Sequence, residues 1–241
     1  MAASVEARYG RGGVAAERQK GHDGMQVDLE VAQLLCSRLC HDIVSPIGAV
    51  NAGLELLEEA ADDDGRALGL ITTSAAEAAR RLAFYRVAFG LGAGTQGEAP
   101  MQEARGLATG LLLGGKAALD WPADSGSTPE GAVAPDAVKV VLNLVLIASE
   151  SLPRGGTIGV KVKTLEDGLG IAVIAAGAGA RLRDDLRQAL AGRATGDGLS
   201  ARNVHGHYAQ CLARGLGAEI EVGEGANGEV QLAALFPARR P

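Results

Sequence analysis

The residue types best suited to chemistry lie together in one segment, Ser37–Pro46, where a histidine is followed by an aspartate. On a helix, His41 points about 200° away from Ile43, because successive side chains advance by about 100°. Its face also carries small or polar side chains, namely Ser37, Arg38, Ser45 and Gly48. We therefore expect an exposed imidazole that another protein can approach closely. Such an imidazole is a nucleophile, and phosphorus is a natural electrophile for it.

The residues alone leave two interpretations of this pair open. His41 is either a nucleophile or a surface histidine without a role. Asp42 either orients the ring and favours its basicity, or is a solvated helix residue. Pro46 lacks the amide that would bond the Asp42 carbonyl, so we expect a kink or a loosened turn just after the histidine.

Other candidate residues carry weaker signals. Cys36 and Cys40 are one helical turn apart, but a metal site needs further ligands, and buried or half-buried thiols are the favoured interpretation. Arg38 either meets a phosphate or an acidic partner surface, or is a plain surface charge. His205 and His207 lie on a late helix, where solvated or core-edge positions are favoured over catalysis.

Two long helices must position the histidine. Apolar residues at steps of three and four predict a helix over Val27–Glu59 and a second one over Arg66–Phe89. The turn Asp62–Asp64 joins them, with Asp64 as a predicted cap of the second helix. A hairpin with so wide an apolar face favours a second copy, so we predict a homodimeric four-helix bundle.

After a linker at Gly90–Pro100, short strands alternate with helices and predict an α+β sandwich with helices on one face of a sheet. The predicted organisation is a disordered tail over 1–26, the hairpin over 27–90 and the sandwich over 101–241. The sandwich helices are predicted at Met101–Gly114, Ala134–Ser151 (capped near Asp136), Arg183–Ala191 and Ala201–Leu216. Its strands are predicted at Ala117–Trp121, Thr157–Thr164, Leu169–Ala175, Ala218–Val222 and Glu229–Phe236.

Composition excludes several classes of function. The chain has 241 residues, of which 47% are apolar and 22% charged, so it supports a packed core. An aromatic content of 3% and a net charge of -6 argue against nucleic-acid binding. No stretch approaches the roughly 20 apolar residues of a membrane helix. Three cysteines, and an N-terminus without the pattern of a secretory signal, favour the cytoplasm.

The histidine segment resembles a known sequence pattern. His41-Asp42-Ile-Val-Ser45-Pro46 is similar to the phosphoacceptor box of two-component histidine kinases. The second half resembles their Bergerat-type ATP-binding domain, on the segments Val141–Ser149, Ala172–Gly179 and Leu212–Val222.

The chain departs from the kinases where they hold ATP. Ile147 stands where a kinase has its magnesium-coordinating asparagine, four residues after Asn143, and Ala175 stands where a kinase has its adenine-binding aspartate. Gly177 and Gly179 remain, as a turn, while the lid glycines are scrambled into Thr195–Leu199. Because neither replacement offers the lost polar contacts, we do not expect ATP to be a substrate.

With this degenerate domain, the chain resembles the ChpT family of alphaproteobacterial histidine phosphotransferases. The segments Leu119–Trp121, Val141–Leu146, Leu152–Gly156 and the Tyr208 helix fit that family better than a kinase. The resemblance implies that His41 relays a phosphoryl group between the receiver domain of a hybrid kinase and that of a response regulator.

The resemblance also implies which groups take part in the transfer. The receiver supplies magnesium, so this chain binds no cofactor of its own. Arg38, Ser45, Arg181 and Arg183 are expected to contact the receiver. Two alternatives stay open: an ATP-dependent kinase with a divergent pocket, and a scaffold that binds receivers without accepting phosphate.

Overall fold

The computed structural model describes residues 29–58, 65–90, 100–122, 134–194, 198–225 and 228–238. The predicted tail, the turn Asp62–Asp64 with its cap, most of the linker, and residues 195–197 of the lid segment lie outside these ranges. The helices are α1 (Leu29–Glu58), α2 (Arg66–Ala88), α3 (Pro100–Leu112), α4 (Pro135–Glu150), α5 (Asp184–Leu190) and α6 (Val204–Gly215). The strands are β1 (Ala117–Asp120), β2 (Gly156–Leu165), β3 (Gly168–Ala176), β4 (Ile220–Glu224) and β5 (Val230–Pro237).

Helices α1 and α2 form the predicted antiparallel hairpin. They approach most closely at Gly53, where an added Cβ atom would lie 2.6 Å from Cγ1 of Ile71 and 3.1 Å from the Ala67 carbonyl oxygen. Helix α1 continues unbroken through Pro46. The helix is thus not interrupted at the proline, and the kink or loosened turn expected there stays a prediction.

The second half is a five-stranded mixed sheet with helices packed on one face. The strand order is β1-β2-β3-β5-β4, with β1 and β2 parallel and the other pairs antiparallel. Alternation along β2 sends Ile158, Val160 and Val162 into the core beneath α4, while Lys161 and Lys163 face solvent. The predicted α+β class, with an N-terminal helical hairpin and a C-terminal α/β sandwich, is confirmed.

One core joins the hairpin to the sheet. Helix α4 is buried along almost its whole length, because it lies between the sheet and the C-terminal end of α2. The amide of Asn143, fully buried on α4, donates to the carbonyls of Ala88 and Lys139 at 3.1 and 2.9 Å. Leu35 of α1 and Phe84 of α2 belong to the same apolar cluster. Among the described residues, no helix is long and apolar enough to cross a bilayer.

Candidate functional site

The site is built around an exposed histidine on α1. The side chain of His41 is 87% exposed, and its Nδ1 atom lies 3.2 Å from Oδ1 of Asp42. Ser45 and Gly48, on the same face, are exposed, and nothing lies within 4 Å of where a Cβ of Gly48 would be. The open surface that the sequence predicts around the imidazole is present in the structure.

Asp42 is held by contacts from two helices. The Tyr85 hydroxyl of α2 donates to Oδ2 of Asp42 at 2.5 Å, and Nη2 of Arg38 lies 3.5 Å from the same oxygen. Only 18% of the aspartate side chain is exposed. The interpretation of Asp42 as a solvated helix residue is therefore wrong, because α2 brings a buried hydroxyl against it. Burial and the neighbouring carboxylate raise the pKa of Tyr85, so the hydroxyl keeps its proton.

The carbonyl of Asp42 receives a donor from outside its own helix. Pro46 has no amide to offer, and Nη1 of Arg81 on α2 donates to that carbonyl at 3.0 Å instead. Arg81 is itself paired with Glu77 one turn earlier, at 2.6 Å. This contact satisfies the oxygen that the proline leaves free and accounts for the unbroken helix.

Arg38 does not occupy the surface position expected of it. It is 8% exposed, because α4 and α6 cover that side of α1. Its Nη2 atom donates to Glu150 at the end of α4, and its Nη1 atom contacts Nδ1 of His205 at 3.1 Å. The interpretation of Arg38 as a plain surface charge is therefore wrong, and the expected direct contact with a receiver does not fit a side chain buried to this extent. In this structure Arg38 instead joins the hairpin to the sandwich.

The charge pattern in this cluster is set by burial. Burial alone would raise the pKa of Glu150, but its contacts with His205 and Arg38 outweigh burial and lower the pKa to about 2. His205 is fully buried, and burial beside Arg38 lowers its pKa. A neutral ring with its proton on Nε2 fits both neighbours, since Nδ1 then accepts from Arg38 and Nε2 faces Oε2 of Glu150 at 3.5 Å. His205 is a core residue, as the core-edge alternative anticipated.

Of the predicted partner-binding arginines of the sandwich, Arg183 reaches the same cluster. Arg183 is 40% exposed, lies 3.9 Å from Glu150, and donates to the Arg202 carbonyl at 2.7 Å. Arg181 is exposed. Glu150 therefore lies between Arg38, which contacts Asp42, and Arg183 at the surface. The structure brings His41, Asp42, Arg38 and Arg183 into one connected set of contacts.

The positions that hold ATP in kinases belong to the core here. Ile147 and Ala175 are both fully buried, packed in the cluster between α4 and the sheet. Gly177 and Gly179 form a turn that is closed by a hydrogen bond from the Ala180 amide to the Gly177 carbonyl at 3.1 Å. The residues at these positions present no oxygen or nitrogen side chain to a nucleotide.

The two cysteines of α1 differ from expectation. Cys36 and Cys40 are exposed, so the prediction of buried or half-buried thiols is wrong, because they lie on the side of α1 that α2 and the sandwich leave uncovered. Within the described part of the chain, no group of three His, Cys, Asp or Glu side chains is placed to hold a metal ion.

Three residues of the site were not predicted from the sequence: Tyr85, Arg81 and Glu150. One signal for them was present in the sequence. A proline four residues after Asp42 leaves that carbonyl in need of an outside donor, and an antiparallel hairpin places the C-terminal half of α2 opposite it. The exact partner depends on how the two helices rotate against each other, which the apolar pattern does not fix.

Comparison with known proteins identifies the family. The family model for the histidine phosphotransferase C-terminal domain matches residues 101–228. The chain is 33% identical over 194 residues to the protein phosphotransferase ChpT of Brucella abortus (strain 2308), covering 80% of this chain and 90% of that protein. This chain belongs to the histidine phosphotransferase family.

A solved structure supports the same assignment for the phosphotransferase as a whole. It is described as a bacterial phosphotransferase at 1.7 Å, is 33% identical, and superposes with a TM-score of 0.74 over 88% of this chain and 98% of the other. The predicted ChpT family, the phosphotransferase activity and its place in a phosphorelay are confirmed by these matches.

Proposed function

We propose that His41 is the phosphoacceptor, and that it relays a phosphoryl group between the receiver domains of a hybrid histidine kinase and a response regulator. The observation that carries the proposal is an imidazole that is 87% exposed and whose Nδ1 atom lies against a carboxylate held from two sides. The ring is open to a partner and fixed in direction at once. This combination suits a residue that must meet phosphorus on another protein.

The transfer follows from this geometry. With Oδ1 of Asp42 accepting the proton on Nδ1, the lone pair of the neutral ring lies on Nε2. Nε2 attacks phosphorus in line; the N–P bond forms as the bond from phosphorus to the aspartyl oxygen of the receiver breaks, and the receiver carboxylate leaves. The positive charge that develops on the ring is stabilised by Asp42. Attack by the aspartate of a second receiver reverses these bond changes.

The receiver completes the site. Receivers carry their own magnesium and acceptor aspartate, so this chain needs to bind no cofactor. We expect Ser45, beside the histidine, and the two arginines Arg181 and Arg183 of the sandwich to contact the docked receiver. Ser45 and Arg181 are exposed and Arg183 is half-exposed, which supports this expectation. Arg38 acts from beneath this surface, through Asp42 and Glu150, because it is buried. The exposed thiols of the hairpin fit a reducing cytoplasm.

The hairpin also supports a homodimer. Large apolar side chains are exposed along both helices: Val44, Ile47, Leu54, Leu57, Leu68 and Leu82 are between 41% and 68% exposed. Single exposed apolar side chains are ordinary, but so many large ones on the two helices of one hairpin support an interface. A second copy packed on it gives a four-helix bundle, with one phosphoacceptor on each protomer.

A labelled-phosphate relay tests the proposed function. The purified chain is mixed with a receiver domain carrying ³²P on its aspartate, and then with a second, unlabelled receiver. We expect acid-labile label on the chain and then on the second receiver, and none on the chain when His41→Ala is used. His207→Ala, a change to a half-buried histidine on α6, is the matched control and should transfer normally.

The rival activities are separated in the same assay. Labelled ATP alone should give no phosphorylation, since Ile147 and Ala175 fill the nucleotide positions with core side chains. Label from ATP on His41 would establish a kinase instead. A receiver that binds without leaving label on the chain would establish a scaffold. Continued transfer by His41→Ala would remove the proposed acceptor.

A further inference from the structure

Tyr85 connects the phosphoacceptor pair to the protein interior. It is 2% exposed, and its ring stacks on Phe89 at 5.2 Å and meets Phe84 edge-on at 5.6 Å. Phe89 in turn packs edge-on against Tyr208 of α6, at 6.0 Å. In a chain with so few aromatic residues, four rings are therefore gathered behind one aspartate, and the direction of the Tyr85 hydroxyl is fixed by packing.

The two oxygens of Asp42 have separate partners. Oδ2 accepts from Tyr85 at 2.5 Å and lies 3.5 Å from Arg38, whereas Oδ1 is 3.2 Å from Nδ1 of His41. The Tyr85 contact is the shorter of the two on Oδ2. Without the Tyr85 hydrogen bond, only the longer contact with Arg38 restrains rotation of the carboxylate about its Cβ–Cγ bond, so Oδ1 is held less firmly against the ring.

We propose that Tyr85 is a positioning residue for phosphoryl transfer. This inference rests on the proposed role of His41. The Tyr85 hydroxyl holds Asp42 so that Oδ1 accepts the proton on Nδ1, which keeps the lone pair on Nε2, the nitrogen that points away from the helix backbone. Tyr85 acts through Asp42 and touches neither the phosphoryl group nor the receiver.

Removal of one oxygen atom tests the inference. Tyr85→Phe keeps the stacked ring and deletes only the hydroxyl. We expect the single-turnover rate constant for transfer from a phosphorylated receiver to fall about tenfold, the cost of losing a hydrogen bond to a charged acceptor, with an unchanged affinity for the receiver. Tyr208→Phe is the matched control, because it keeps a buried ring of the same cluster and removes a hydroxyl that is not among the Asp42 partners named above; it should keep the rate of the unsubstituted protein.

A double-mutant cycle separates positioning from general loosening. If Tyr85 acts through Asp42, the variant combining Tyr85→Phe with Asp42→Asn transfers no more slowly than Asp42→Asn alone. Full additivity of the two losses would overturn the inference, as would an unchanged rate for Tyr85→Phe.

The tautomer of His41 provides a readout that needs no receiver. Nitrogen-15 NMR of the neutral ring should show the proton on Nδ1, and Tyr85→Phe should move the population toward the Nε2–H form. Asp42→Asn should do the same, so the test survives if Tyr85→Phe fails to fold. An unchanged tautomer in both variants would overturn the inference. The expected tautomer shift, in a protein that accepts no phosphoryl group from any receiver, would support the positioning and reject the proposed function.

Discussion

At the scale of single residues, the site joins an exposed side chain to a covered one at consecutive positions of α1. His41 is open to solvent, while Asp42, the next residue, is four-fifths covered and contacted by Arg38 and Tyr85. Under the proposed function, His41 must meet another protein, so it has to be exposed. The group that orients it must not exchange its partners for water, because the orientation is then lost. Adjacent residues on a helix point about 100° apart, which allows one to face solvent and the other the groove toward α2.

The Arg81 contact predicts a measurable loss of stability. Arg81→Met leaves the Asp42 carbonyl without a donor, because Pro46 cannot supply one, and should lower the free energy of unfolding by about 1–3 kcal/mol. Denaturant titration followed by circular dichroism measures this. Glu77→Gln is the control: it removes the exposed ion pair of Arg81 but keeps the carbonyl contact, and should cost less than about 0.5 kcal/mol. Equal losses in the two variants would contradict this role of the carbonyl contact.

At the scale of elements, two residues that usually weaken helices are accommodated in α1 by α2. Pro46 is tolerated because Arg81 takes over the free carbonyl, and Gly53 is required because the backbone and Ile71 of α2 come within reach of any side chain there. Because the helices approach closely at Gly53, the C-terminal half of α2, which carries Arg81 and Tyr85, lies against Asp42. The geometry of the site thus depends on the register of the hairpin.

Two glycines on the same helix give opposite predictions. Gly53→Ala places a methyl group 2.6 Å from Cγ1 of Ile71 and should destabilise the fold by about 1–3 kcal/mol. Gly48→Ala adds the same methyl group in open space and should stabilise it by up to about 1 kcal/mol, since alanine favours a helix more than glycine does. Chemical denaturation of both variants measures the difference. Two changes of the same sign would contradict the close helix crossing at Gly53.

At the scale of the whole molecule, the sandwich serves as support for the hairpin. Asn143 binds the end of α2, and Glu150 pairs with Arg38, so α4 contacts the hairpin at two points. Ile147, on the same helix, is fully buried in the core. The sandwich therefore holds in place the hairpin helix that carries His41.

The exposed hairpin face predicts the oligomeric state. Light scattering should give twice the 24.5 kDa mass of the chain at micromolar concentration. Glu substitutions at Leu54 and Leu68, which are 46% and 60% exposed, should yield monomers, because they place charge in the proposed bundle core. Leu235→Glu, at a leucine 50% exposed on the outer face of the sheet, should leave the dimer intact. A monomeric mass for the unsubstituted protein would contradict the proposed four-helix bundle.

The sequence by itself determined the elements, the family and the exposed histidine. Apolar periodicity depends on local steps of two, three and four residues, so it located α1, α2, α4 and the strands to within a few residues of their observed ends. The same periodicity placed His41 on the side of α1 away from its apolar stripe, although the structure leaves Ile47, Leu54 and Leu57 of that stripe 41–46% exposed. Ile147 and Ala175 are single substitutions at positions set by the family pattern, and they are readable without coordinates.

Only the tertiary structure decided what each polar side chain touches. Arg38 appeared to be a surface group and is buried, because α4 and α6 fold back over the polar side of α1. Cys36 and Cys40 proved to be exposed for the converse reason. Tyr85 reaches Asp42 across 43 residues of chain. Such contacts depend on how helices rotate and cross, and a periodic pattern fixes which stripe is buried but not which distant residue it meets.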